Sequence, residues 1–138
     1  MSKQSIYEQQ AKLNEENARK AHTESPEWAI IMYFYAALHW VNNYAHKRGE
    51  MSQLQDTNKT TSPHTLRKRY VKKVSKHKGN EDELYENYKF LFDESMVARY
   101  LEDGEFECIN MTSREYYKEC NIKDYIDSLE IIKKMLRE

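Results

Sequence analysis

Trp28-Ala29-Ile30-Ile31-Met32-Tyr33-Phe34-Tyr35-Ala36-Ala37-Leu38-His39-Trp40-Val41 is a run of fourteen residues in which only His39 is plainly polar. The rest of the chain is strongly hydrophilic: 33% of its residues are charged, and the mean hydropathy is -1.00. A helix that is apolar on every side has to be surrounded by protein or lipid. As a helix this run rises about 21 Å, short of the roughly 30 Å of a bilayer core. It is therefore expected to be a central helix wrapped by other amphipathic helices, with a histidine set into it.

Composition supports that reading. A chain of 138 residues suits a single domain with a proper core. Three glycines and two prolines leave little turn chemistry for a multi-stranded sheet, and no window alternates as a half-buried strand would. An all-α, up-and-down bundle of about five helices over residues 1–138 is the fold expected. Eleven tyrosines suit half-buried helix seams or a partner surface. With no signal peptide in the sequence, a cytoplasmic chain with reduced thiols is expected. Spacing leaves open whether Cys108 and Cys120 meet.

The elements follow from their punctuation. A first helix with a thin apolar stripe (Tyr7, Ala11, Leu13 or Asn14, Ala18) is predicted from Ser5 to His22, on the outside of the bundle. Ser25-Pro26-Glu27 starts the central helix and Gly49 stops it. Residues 50–62 read as a polar loop. Ser62-Pro63 opens a basic helix ending near Lys78, and Asn80 is placed to cap a fourth helix beginning at Glu81. Residues 105–111 read as an extended connection. Thr112-Ser-Arg-Glu115 is a capping box for a short helix, and Asn121 caps the last one, which carries Ile122, Tyr125, Ile126, Leu129, Ile132 and Leu136.

The net charge of -1 argues against a global basic field, but the charges are unevenly placed. Between His64 and Lys78 stand Arg67, Lys68, Arg69, Lys72, Lys73, Lys76 and Lys78 with no acid, whereas ten acids face only Lys89 and Arg99 from Glu81 to Glu107. A local positive patch follows.

No metalloprotease HExxH, glycine-rich phosphate loop, GxSxG or zinc-spaced Cys/His cluster is present, so no cofactor and no metal site are expected. Three polar groups remain. His39 is either a core histidine bonded to a neighbouring acceptor or the floor of a pocket. His64-x-x-Arg67 puts imidazole and guanidinium on one face at a helix N-terminus, where they could hold a phosphate or simply cap their own helix. Ser95 and Arg99 lie one turn apart on an apolar helix, implying an ion pair, with Glu27 or Asp93, or a bound anion. The lysines after Arg67 are a solvated face or make phosphate contacts.

The residues Trp28-Ala29 and Tyr33-Phe34-Tyr35-Ala36-Ala37-Leu38-His39, then Pro63-His64-x-x-Arg67, then Tyr88-x-x-Leu91-x-x-x-Ser95-x-x-x-Arg99-Tyr100 together resemble bacterial HEPN-like (higher eukaryotes and prokaryotes nucleotide-binding) proteins. The resemblance spans roughly residues 25 to 136. It implies a helical bundle that often forms a homodimer. It also implies a metal-independent ribonuclease of a toxin–antitoxin or phage-defence system, or a non-catalytic module that binds a nucleotide or a protein. A cognate antitoxin or defence-system protein would be the partner, with RNA or nucleotide as ligand and no membrane. The family's usual Arg-x(4–6)-His spacing is absent: seven residues separate Arg69 from His77, and two separate Arg19 from His22. A rearranged site is therefore expected, with His64, Arg67 and Arg99 catalytic and His39, Ser95, Tyr100, Arg69, Lys72 and Lys73 binding.

Overall fold

The computed structural model describes residues 4–56, 58–79, 82–101 and 110–137. Among them are six α-helices and one 3-10 turn, with no strand: α1 (Ile6–Ala21), α2 (Pro26–Lys47), the 3-10 turn (Met51–Leu54), α3 (Pro63–Lys78), α4 (Glu83–Tyr100), α5 (Ser113–Tyr116) and α6 (Ile122–Leu136). The short helix expected after the Thr112 capping box is present as α5, a single turn that brings the count of about five to six. Among the described residues, no helix is long and apolar enough to cross a membrane.

The 22-residue α2 is the hub. It packs against α1, α4 and α6, while α3 packs on α4 and the 3-10 turn, and α4 also meets α6. Ala29, Ile30, Phe34, Ala36, Ala37, Val41 and Ala45 of α2 are fully buried. The helix is not covered all round, however. Trp28 is 55% exposed, and Tyr35 and His39 are only partly buried. With 3.6 residues per turn, positions 28, 35, 39 and 42 fall on one stripe. On that stripe Tyr35 meets Arg99 of α4 and Asn42 meets Arg67 of α3.

Local chemistry explains the helix ends. Ser5, Ser62, Thr112 and Asn121 each accept a backbone N–H of the first turn that follows. Ser25 caps α2 by position only; its hydroxyl accepts from Arg114 instead, at 3.4 Å. The expected cap Asn80 lies outside the described residues; α4 starts two residues later than expected, after Asp82, whose backbone is left-handed (φ 65°). Gly79 ends α3 at φ 71°, a conformation that costs glycine little.

The loop at 50–62 is more ordered than its polarity suggests. Leu54 is buried, and the Asp56 carboxylate accepts from the backbone N–H groups of Asn58, Thr60 and Thr61 and from the Thr60 hydroxyl. The connection expected at 105–111 lies mostly outside the described residues, as does Cys108; Cys120 is half-buried.

Buried tyrosines and one buried acid tie the helices. Tyr117 donates to both the backbone and the carboxylate of Glu94, and Tyr125 reaches the same carboxylate. Glu15 of α1 is 6% exposed and accepts from Trp40 Nε1 of α2 at 2.8 Å and Lys133 Nζ of α6 at 2.9 Å.

Candidate functional site

Three helices meet at Phe34. Its ring centroid lies 5.9 Å from that of His64 (α3), 5.5 Å from Phe92 and 5.7 Å from Tyr88 (both α4). The Arg99 guanidinium also lies over Phe34, at 5.9 Å. His64 and Arg99, 35 positions apart in the sequence, thus share one aromatic floor.

Each cation is held by neutral groups. Arg99 donates through Nη1 to the Tyr35 hydroxyl at 2.7 Å, through Nε to the Ser95 carbonyl at 3.3 Å and through Nη2 to Ser95 Oγ at 3.3 Å. Ser95 is fully buried and donates its own proton to the Phe92 carbonyl. The expected ion pair with Glu27 or Asp93 does not form, because those carboxylates are engaged by Arg114 at 3.1 Å and Lys89 at 2.7 Å. Arg67 donates through Nε to the buried Asn42 side chain of α2 at 3.1 Å. Lys68 covers the Phe92 ring at 3.8 Å. Among the described residues, no carboxylate lies within ion-pair distance of Arg67, Lys68 or Arg99; Asp93 is the nearest acid to influence Lys68.

The two histidines are depressed in this setting. Burial lowers the His64 pKa from 6.5, and the neighbouring Arg67, Arg99 and Lys68 charges lower it further. Burial followed by Arg67 does the same to His39. Both rings are uncharged at neutral pH and able to accept a proton. Because the unfolded chain binds these protons more readily, each ring subtracts stability as pH falls through 6.5, and nothing above it.

Four buried side-chain polar atoms have no partner among the described residues: Glu27 Oε2, His39 Nδ1, His64 Nδ1 and Tyr88 Oη. The last three border this cluster. Tyr88 is fully buried; burial raises its pKa, and Arg67 counters part of the rise without reaching full hydrogen-bond geometry. An unpartnered buried polar group costs about 1–3 kcal/mol, so such groups concentrate where function requires them.

The remaining expected site residues separate. Tyr100 is 56% exposed, with Arg99 over its ring at 5.1 Å. Arg69, Lys72 and Lys73 are exposed. Lys73 lies nine residues from His64, about 180° around α3, and donates to Gln53 at 3.0 Å; it does not share the His64 face. Tyr35, Asn42, Lys68 and Tyr88 border the cluster but are not among the site residues expected from the sequence, although Tyr35 and Tyr88 lie in the motifs that carry the resemblance and Lys68 in the basic run. The spacing Tyr35–His39–Asn42 along α2, and His64–Lys68 along α3, are the signals that could have found them.

A groove of about 670 Å³ opens beside the cluster, bounded by Trp28, Ile31, Tyr35, Ala98, Arg99 and Arg114 among others. Arg99 therefore faces both the aromatic floor and a space that a ligand can enter. No group of three or more His, Cys, Asp or Glu side chains placed to hold a metal ion occurs among the described residues. Two guanidiniums, an ammonium and two neutral imidazoles, none of the three cations ion-paired to a carboxylate among the described residues, suit a phosphate group, although Glu27 lines the adjoining groove. No family model, no curated protein and no solved structure matches the chain.

Proposed function

We propose that this chain is a HEPN-like, RNA-directed protein of a bacterial toxin–antitoxin or phage-defence system, built as an up-and-down bundle and working as a homodimer. Its His64–Arg67–Arg99 cluster is the phosphodiester site of a metal-independent ribonuclease. One observation carries this reading: Arg99 of α4 and the His64 ring of α3 both pack on Phe34, Arg67 and Lys68 stand close to His64, and none of the three cations has a carboxylate within ion-pair distance among the described residues. Some of the residues quoted for the HEPN-like resemblance, Tyr35, His39, His64, Arg67, Ser95 and Arg99, lie close to one another there, while Trp28 and Tyr100 are exposed.

In the catalytic reading, neutral His64 takes the proton of a ribose 2′-hydroxyl, and the 2′-oxygen attacks the adjacent phosphorus. Arg67 and Arg99 offset the extra negative charge on the phosphoryl oxygens. The P–O5′ bond breaks, and the proton held by His64 passes to the departing 5′-oxygen. The products are a 2′,3′-cyclic phosphate and a free 5′-hydroxyl. His39 and Ser95 orient the cluster, Ser95 through its bond to Arg99.

A non-catalytic module that binds a nucleotide or a protein partner is favoured by one feature. A general base is normally oriented by a third group, yet Nδ1 of both His39 and His64 lacks an acceptor among the described residues. Purified protein incubated with mixed RNA in EDTA separates the readings. Cleavage leaving cyclic phosphate ends, reduced about a hundred-fold or more by His64→Ala, supports the ribonuclease. Intact RNA, together with nucleotide affinity that survives His64→Ala but is lost in Arg99→Ala, supports the binding module.

A further inference from the structure

The exposed lysines of α3 do not form one patch. His64, Lys68, Lys72 and Lys76 follow one another at i+4 spacing, while Lys73 stands about 100° round the helix from Lys72 and about 60° from Lys76, and is held by its bond to Gln53 at 3.0 Å. Each step advances about 6 Å along the axis and drifts only about 40° around it. The row therefore runs as a shallow spiral from the candidate site towards the C-terminal end of α3, over about 18 Å.

The neighbouring helix supports the row. Lys68 lies over Phe92 at 3.8 Å, and Lys72 lies over Tyr85 at 5.3 Å. Phe92 and Tyr85 are two turns apart on α4, which runs antiparallel to α3 beside it. Tyr85 is partly exposed, and its backbone N–H donates to Ser75 Oγ of α3 at 3.2 Å, fixing the register of the two helices. None of Lys68, Lys72 and Lys76 has a carboxylate within ion-pair distance among the described residues; the nearby Asp93 is paired with Lys89. Three ammonium groups in a row, none ion-paired among the described residues, next to a partly exposed aromatic ring, have the make-up of a single-strand track.

We infer that Lys68, Lys72 and Lys76 form a track along α3 that binds successive phosphates of single-stranded RNA whose reacting phosphate sits at His64. This inference rests on the phosphodiester reading of the His64–Arg67–Arg99 cluster and adds the path of the strand. It separates Lys72 from Lys73, which faces the space bounded by Tyr44, Tyr70 and His77.

The experiment uses the full chain and labelled 2′-fluoro RNA, which lacks the attacking hydroxyl, in lengths of roughly two to eight nucleotides. Anisotropy titrations are run over a range of salt concentrations. Affinity rises with length in the wild type. Lys72→Gln and Lys76→Gln each flatten the log–log salt dependence by about 0.7. Together they weaken the longer strands about ten-fold and leave the dinucleotide unchanged, whereas Lys73→Gln changes neither. If Lys73→Gln weakens binding as much as Lys72→Gln, the cations act as a general field and the track is overturned. Equal length and salt dependence for duplex RNA overturns it too. Dinucleotide binding that needs Arg67 and Arg99, with no contribution from Lys72 or Lys76, removes the track and leaves the site. Length-dependent binding that ignores Arg67→Ala and Arg99→Ala removes the site reading instead.

Discussion

Phe34→Ala is expected to destabilise the protein by about 3–5 kcal/mol, lowering the thermal midpoint by roughly 10–15 °C. Phe34 has no exposed surface, and its ring touches those of Tyr35, His64, Tyr88 and Phe92. Truncation removes the buried ring and leaves a cavity between α2, α3 and α4, and it forfeits edge and tilted aromatic contacts of about 0.5–1.5 kcal/mol each. The same ring supports Arg99 and His64, so phosphate affinity should fall with stability. Urea unfolding followed by circular dichroism measures the first effect, and Phe34→Leu should recover much of it. A loss below about 1 kcal/mol would show that the three helices do not depend on this contact.

The second large effect lies away from the site. Glu15→Ala removes the buried acceptor shared by Lys133 and the Trp40 indole N–H between α1, α2 and α6, and leaves Lys133 only the longer contact to exposed Glu130 at 3.4 Å. Breaking one side of a buried pair costs about 3–5 kcal/mol, because the remaining charge stays desolvated. Replacing both partners, Glu15→Leu with Lys133→Met, should restore most of the stability, since an apolar pair of similar volume avoids that penalty. Denaturant midpoints for the single and double variants measure this. A double variant as unstable as Glu15→Ala would refute the desolvation argument. Nucleotide affinity should be unchanged in folded protein, as Glu15 is on the α1–α6 side of α2.

How far such features can be read from sequence depends on whether local spacing encodes them. Ser62-Pro63, Thr112 with Glu115, and Asn121 announce helix starts because capping acts within one turn. The run Trp28–Val41 identifies the core helix because its surroundings must be apolar. Glu15 was hidden, since its partners lie 25 and 118 positions away, and its neighbours in α1 suggest an ordinary solvated acid. Arg99 shows the same limit more sharply. Its isolation on an apolar face signalled a partner, but the Tyr35 hydroxyl, 64 positions away, emerges only once α2 and α4 pack. The uncovered edge of α2 was also invisible, because Trp28 and Tyr35 look as apolar as the residues between them and a single histidine does not mark a face. His64 with Arg67 was legible because helical spacing alone puts them on one face. Lys72 and Lys73 could have been separated by the same rule.

The central claim is that His64, Arg67, Lys68 and Arg99 form one electrostatic unit that receives a phosphate. It is tested most directly by following His64 through a pH titration by NMR, with and without a saturating 2′-fluoro oligonucleotide. In the free protein, burial and the three neighbouring cations should place the His64 midpoint below 6.5. A bound phosphate offsets those cations and should raise the midpoint, and Arg67→Ala with Arg99→Ala should abolish the ligand effect. A His64 that titrates near 6.5 in the free protein and does not respond to the oligonucleotide would contradict the account.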